Sequence, residues 1–178
     1  VNKLPIDEDG LSIDEVVKLT DLKYTAIVGG VEAFGQAMWE LAVQHDVLYA
    51  GHSAVTADGA AWIWRLTADL FPTSVQIVDW HHATEHLAKA SHARYCQDTE
   101  AAQSWFKRMK TPLYRGEIWK ITADLERAKL EDQARYFQNH HRRMQYQDFR
   151  AEGYPIGSGA VESGIKQYKE RLTGPGMR

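Results

Sequence analysis

The chain has 178 residues, of which 44% are hydrophobic and 25% are charged, so its composition excludes an intrinsically disordered protein and allows one globular domain with a core. The single cysteine, Cys96, excludes an internal disulfide. No apolar run approaches the roughly 20 residues of a membrane helix, so we expect a cytoplasmic protein that does not contact a membrane.

Charge is distributed unevenly along the chain. Residues 1–100 carry 6 Lys and Arg against 15 Asp and Glu, whereas residues 101–178 carry 15 against 9. An acidic cluster can hold cations, and a basic half can contact phosphates. Ordinary solvated surfaces explain the same asymmetry, so both interpretations stay open.

The first part of the chain alternates between strand and helix patterns. Residues 24–28 are β-prone and end at two glycines, and residues 31–45 carry apolar side chains at helical spacing. Further along, the patterns predict a strand at 52–57, a helix at 62–71 and a strand at 75–80. This order predicts a sheet flanked by helices, whose chemistry gathers at the carboxyl ends of the strands.

The second part is predicted to be helical. Helix-forming residues dominate the segments 82–94, 99–109, 116–129 and 132–149, and Pro112 and Gly116 predict a turn. A glycine-rich turn that starts at Gly153 then leads into a last helix, residues 160–172. We therefore expect a helical block between the sheet and the final helix.

One short string fits a zinc-peptidase pattern. His82-Ala-Thr-Glu85-His86 matches H-x-x-E-H, in which two histidines bind the metal and the glutamate activates water. Glu162, far downstream, would complete a site with two histidines and one glutamate. Three fixed residues in a short string are a weak signal, and a polar helix start explains them too.

A second constellation consists of Asp58, Asp79 and Glu162. The two aspartates follow predicted strands, and the glutamate belongs to the last predicted helix. Such carboxylates suit Mg²⁺ or Mn²⁺, and a pair of these ions can drive displacement at a phosphodiester. Each residue also has a structural explanation, an Asp-Gly turn for Asp58 and a favourable helix-start charge for Glu162.

Several motifs occur together and in a fixed order. They are Asp58-Gly-Ala-Ala-Trp62-Ile-Trp64, Phe71-Pro72, Gln76-Ile-Val-Asp79-Trp80-His-His82-Ala-Thr-Glu85-His86-Leu87, Tyr146-Gln-Asp-Phe149-Arg150, Gly153-Tyr-Pro-Ile-Gly157-Ser158-Gly159-Ala-Val-Glu162-Ser163 and Arg171-Leu-Thr-Gly-Pro-Gly-Met-Arg178. Together they resemble the signatures of bacterial insertion-sequence transposases of the Kra type. The resemblance covers the chain from about Tyr24 to Arg178.

The resemblance implies a DDE transposase, which cuts and joins DNA at transposon ends and target. It implies an α/β, RNase H-like catalytic core at 1–82, an inserted helical subdomain at 83–150, and a return to the core at 151–178. Asp58 and Glu162 would be catalytic ligands of Mg²⁺ or Mn²⁺, and Asp79 and His82 would support them. The family also implies a homo-oligomer in the full-length protein.

The family's first catalytic aspartate has no good counterpart here. Asp9, in an Asp-Gly pair, resembles it, but its surroundings are acidic and its spacing to the next motif is short. We therefore expect an incomplete catalytic domain with impaired activity.

Basic residues late in the chain predict contact with DNA. Arginines and lysines alternate with aromatic residues there, so cations could take phosphates while rings stack on bases; the cations are Arg142, Arg143, Arg150, Lys166, Lys169 and Arg171. A basic surface paired with the acidic first half is the plain alternative. Two other functions stay open, a zinc hydrolase and a non-catalytic remnant that binds DNA.

Overall fold

The chain alternates helices with two short strands before a run of helices. The structure is a computed structural model that describes residues 21–95, 97 and 99–157. In chain order, its elements are α1 (Val31–Gln44), β1 (Ala54–Ala57), α2 (Ala61–Leu70), β2 (Val75–Val78), α3 (Trp80–Tyr95), α4 (Glu100–Tyr114), α5 (Ile118–Arg127), α6 (Glu131–His140) and α7 (Tyr146–Ala151). One-turn 3₁₀ helices lie at Val47–Tyr49 and His141–Arg143. This part of the chain is mostly helical with a small sheet, which is compatible with the α/β class.

The two strands form a parallel pair. Ala54 is opposite Val75, and Ala57 is opposite Val78. Parallel strands need a crossover connection, and α2 supplies it. Because the strands run the same way, the residues that follow Ala57 and Val78 emerge at the same edge of the sheet.

One hydrophobic core joins β2 to the helices after it. Most of its fully buried members come from β2 and from helices α3 to α7, and they include Ile77, Val78, Leu87, Trp105, Leu113, Ile121, Leu125, Phe137 and Tyr146. Asp124 links three of the helices, because it accepts a hydrogen bond from Trp105 Nε1 and lies 3.3 Å from Arg94 Nε. The helical block and the strands therefore share their packing.

The predicted strand at 24–28 is wrong, because the structure forms no strand there. Val28 is fully exposed, and Ile27 is also exposed. A high β-propensity describes side chains that fit a half-buried pleated surface, and it does not create a hydrogen-bonded partner. No described strand pairs with this segment, so it does not join the sheet.

Pro112 does not end its helix as predicted. Proline lacks an amide donor and usually breaks a helix, yet α4 continues through Pro112 to Tyr114. The extra residues place Leu113 in the core with no exposed surface. Its burial offsets the missing hydrogen bond, and the chain turns at Gly116, which has a φ of 70°.

The predicted helix at 132–149 is split into α6 and α7. Met144 and Tyr146 are both fully buried, although they are only two residues apart. In a continuous helix such residues point to nearly opposite sides, so both cannot reach one core. The break after His140 lets both side chains enter it.

Across residues 21–95, 97 and 99–157, no helix combines the length and the apolar character that a membrane crossing requires.

Candidate functional site

Asp58 and Asp79 are neighbours at one edge of the sheet, as the sequence predicted. Each directly follows its strand, and the last paired residues before them are Ala57 and Val78. The Asp79 amide donates to the carbonyl of Ala57 across the pair at 2.7 Å. Adjacent strands lie about 4.8 Å apart, so the two aspartates are close in space.

Asp58 is exposed and begins a tight turn. Its Oδ1 accepts a hydrogen bond from the Ala60 amide at 2.9 Å, and Gly59 adopts a φ of 97°. Glycine is suited to that conformation because it has no Cβ. The turn presents the Asp58 carboxylate to solvent, where it keeps acceptor capacity for a cation.

Asp79, in contrast, is almost fully buried, with 1% of its surface exposed. Its Oδ1 accepts hydrogen bonds from the amides of His81 and His82, at 2.8 and 3.1 Å. These amides belong to the first turn of α3 and have no partner inside the helix. Asp79 is therefore the cap of α3, a structural role that the sequence did not reveal.

The chain returns to this edge after α7. The Trp80 amide donates to the carbonyl of Ile156 at 2.9 Å, and Thr56 Oγ1 donates to the carbonyl of Pro155 at 3.4 Å. A Cβ built on Gly157 would lie 4.0 Å from Asp79 Oδ2. The segment that leads towards Glu162 thus passes directly beside the strand ends.

Several predicted site residues lie outside the described residues. They are Asp9, Glu162, Lys166, Lys169 and Arg171. Whether Glu162 approaches Asp58 therefore stays a prediction.

The two histidines of the H-x-x-E-H string have different surroundings. His82 is exposed, and its Nδ1 lies 3.4 Å from Glu85 Oε2. The His86 ring stacks on Tyr136, with 3.6 Å between ring centroids and 12° between planes. Within the described ranges, no three His, Cys, Asp or Glu side chains are grouped so that they could hold a metal ion.

An aromatic cluster beside Gly59 was missed from the sequence. Tyr136 and His140 lie one turn apart on α6, and their rings are 4.9 Å apart. A Cβ on Gly59 would lie 3.4 Å from Tyr136 Oη and 3.6 Å from His140 Nε2. The sequence did show that Tyr136 and His140 are four residues apart and so share one face of a helix. Nothing in the sequence indicated that α6 packs beside the end of β1.

The surroundings of this cluster change its protonation equilibria. Burial raises the pKa of Tyr136, and the negative charges of Asp58, Asp79 and Glu85 raise it further. Burial lowers the pKa of His140 to about 4, with smaller effects from Arg143 and His86. Both rings are therefore neutral near pH 7, beside carboxyl groups whose combined field is negative.

The shift of His140 predicts a loss of stability in mild acid. Unfolded histidine titrates near pH 6.5, so between about pH 6.5 and pH 4 the unfolded chain binds a proton that the folded chain does not. The free energy of unfolding should therefore fall as the pH drops through this range. Since His140 is only half-buried, solvent screening limits the loss to about 1–2 kcal/mol.

Urea unfolding at pH 7.5 and 5.5 measures this difference, and His140→Gln should reduce it. The matched control is His92→Gln, which replaces an exposed histidine on α3. An equal pH effect in the wild-type chain and in His140→Gln would contradict the assignment.

The predicted DNA-binding arginines that the structure describes lie in the 3₁₀ helix after α6 and on α7. Arg142 is exposed, whereas Arg143 and Arg150 are partly buried. Arg143 contacts β2, because its Nε donates to Gln76 Oε1 at 2.7 Å. This contact brings a predicted phosphate-binding residue onto the same sheet as Asp58 and Asp79.

Comparisons of the chain with protein-family models, with curated proteins and with solved structures found no match.

Proposed function

We propose that this chain carries catalytic residues of a DDE transposase, which uses Mg²⁺ or Mn²⁺ to cleave DNA and transfer the cut strand. The supporting observation is that Asp58 and Asp79 adjoin at the carboxyl edge of a parallel pair, where the segment leading to Glu162 returns. This edge is where ligand and catalytic groups gather in open α/β sheets.

The surroundings of Asp58 suit a hard cation. Its carboxylate is exposed, and the pKa of the nearby Tyr136 is raised partly by the charges of Asp58, Asp79 and Glu85. A site that disfavours an added negative charge favours a positive one. Oxygen ligands of this kind suit Mg²⁺ or Mn²⁺.

In the proposed site, Asp58 and Glu162 hold the metal, and Asp79 and His82 support it. Asp79 would do so by fixing the first turn of α3, which carries His82. When bound, the metal would activate the attacking oxygen and stabilise the leaving oxygen of a phosphodiester. The third carboxylate of a DDE triad stays unassigned.

The protein's own cations would hold the DNA. Arg142, Arg143 and Arg150 would take phosphates, joined by Lys166, Lys169 and Arg171. Their partners would be transposon ends and target DNA in the cytoplasm, bound by a homo-oligomer of the full-length protein. The proposed domains are an RNase H-like core at 1–82, a helical insertion at 83–150 and a return to the core at 151–178.

The direct test is Mn²⁺ binding by the wild-type chain and by Asp58→Asn. We expect Asp58→Asn to weaken Mn²⁺ binding about tenfold, because an amide replaces a charged oxygen ligand. Isothermal titration calorimetry measures the affinity. Asp69→Asn, which replaces an exposed aspartate on α2, should bind Mn²⁺ as the wild type does.

Two outcomes would favour other functions. Tight stoichiometric zinc binding that is lost in His82→Ala and does not respond to Mg²⁺ would favour a zinc hydrolase. Salt-sensitive DNA binding with no Mn²⁺ binding would favour a non-catalytic DNA-binding protein. Either result would contradict the proposed metal role of Asp58.

A further inference from the structure

A basic pocket lies beside β2, which contributes Val75 and Gln76 to its lining. It has a volume of about 270 Å³, and its polar lining comes from Gln76, Asn139, His141, Arg142 and Arg143. The strand contributes Gln76, and the chain around the 3₁₀ turn after α6 contributes the others. We call it the Arg143 pocket.

Arg143 is held rigidly in this pocket. Its Nε donates to Gln76 Oε1 at 2.7 Å, and its guanidinium carbon lies 4.8 Å from the ring centroid of Trp64. A longer contact of 3.5 Å joins its Nη1 to the carbonyl of Asn139. These contacts fix the plane of the guanidinium group before any ligand arrives.

Among the residues that the structure describes, the positive charge in the pocket has no acidic partner. Within the described ranges, no Asp or Glu oxygen lies within 4.0 Å of Arg142 or Arg143. Burial lowers the pKa of Arg143, which shows that the folded chain pays for desolvating this cation. A cation that is held in place, partly buried and unpaired is suited to an anion from outside.

A row of rings connects the pocket to the strand ends. Trp64 contacts Arg143 on one side, and its ring centroid lies 6.4 Å from that of His140. His140 contacts Tyr136, and Tyr136 lies against Gly59. A series of side-chain contacts therefore links Arg143 to the turn that follows Asp58.

We propose that the Arg143 pocket binds one phosphate of a nucleic-acid strand, with Arg143 as its oriented anchor and Arg142 and His141 as flexible partners. The identification of the phosphate's source rests on the proposed function. From Gln76 to Asp79 the chain advances about 10 Å. A phosphate bound beside Gln76 would therefore lie about 10 Å from the strand ends.

The geometry favours arginine over any other cation at this position. Arginine presents parallel donors that match two phosphate oxygens, whereas lysine is a point charge on a flexible stem. Arg143→Lys should therefore bind a strand more weakly than the wild type, although it keeps the charge. Gln76→Ala should also weaken binding, because it releases the guanidinium plane.

The experiment measures binding of a short, fluorescently labelled oligothymidine by anisotropy, in EDTA and at several salt concentrations. We expect Arg143→Gln to weaken binding about tenfold and to reduce the salt slope by about one. Arg142→Gln, in which an exposed side chain changes and the fold is preserved, should weaken binding severalfold. Arg127→Gln removes an equal charge from α5, where the side chain is 75% exposed, and should have little effect.

The outcomes separate this proposal from the proposed function. Equal losses in Arg143→Gln and Arg127→Gln would show that only net charge matters and would overturn the pocket. Unchanged binding in both Arg143→Gln and Arg142→Gln would also overturn it. Specific loss in the two pocket variants, together with no effect of Asp58→Asn on Mn²⁺ binding, would support the pocket and contradict the catalytic proposal.

Discussion

Replacing Trp80 with alanine is expected to lower the free energy of unfolding by about 3–5 kcal/mol. Only 3% of the Trp80 surface is exposed, and its ring meets Tyr146 and Tyr114 edge-to-face, with centroid distances of 4.9 and 6.0 Å. The substitution would leave a cavity between the start of α3 and helices α4 and α7. Urea denaturation at neutral pH measures the loss.

The matched control is Trp119→Ala on α5. Trp119 is 67% exposed, and its ring contact is with Lys120, 5.5 Å from the centroid. Its removal should change the free energy of unfolding by no more than about 0.5 kcal/mol. Similar losses in the two variants would show that the core is not organised around Trp80.

Trp80→Ala should also loosen the candidate site. The backbone of Trp80 binds the carbonyl of Ile156, which holds the returning chain beside Asp79. Trp80 also follows Asp79 directly, so its packing fixes where the capped turn of α3 begins. The site at the strand ends therefore depends on packing within the helical block.

The parallel strand pair and the positions of Asp58 and Asp79 at its edge could be predicted because their signals are local. Residues 54–57 and 75–78 are short, mostly apolar runs, each followed by an aspartate, and a helix-length segment between them predicts a parallel crossover. The geometry of such a crossover then places Asp58 and Asp79 together. No knowledge of the remaining chain was needed for that step.

The failed predictions depended on contacts with distant residues. Residues 24–28 have strand-forming side chains but lack a strand partner among the described elements. Pro112 stays helical because Leu113 reaches a buried position, and α6 ends at His140 because Met144 and Tyr146 must both enter the core. In each case tertiary context overrode the local secondary-structure propensity.

In the candidate site, too, local sequence patterns predicted some residues, and tertiary packing determined the others. The sequence identified Asp58 and Asp79 by their positions after strands. It did not identify Tyr136, His140 or Gln76, because their places beside Gly59 and Arg143 arise from how α6 packs on the sheet. The motif that contains Asp79 and His82 also did not indicate that Asp79 is buried whereas His82 is exposed.

Two substitutions of Asp79 should lower the free energy of unfolding by different amounts. Asp79→Ala is expected to lower the free energy of unfolding by about 2–3 kcal/mol, because it removes the cap of α3 and leaves two amides without their acceptor. Asp79→Asn keeps an acceptor oxygen at the same place. Its loss should stay below about 1 kcal/mol, because asparagine caps helices about as well as aspartate.

The asparagine variant then tests whether the charge of Asp79 has a role beyond capping. If Asp79 supports a metal held by Asp58, Asp79→Asn should weaken Mn²⁺ binding while urea unfolding stays near the wild-type value. Unchanged Mn²⁺ affinity in Asp79→Asn, together with weaker binding in Asp58→Asn, would assign Asp79 a capping role alone. If Asp79→Ala and Asp79→Asn lowered the free energy of unfolding equally, the capping role would be contradicted. Both variants lack the charge of Asp79, and only Asp79→Asn keeps the acceptor oxygen, so an equal loss would come from the missing charge.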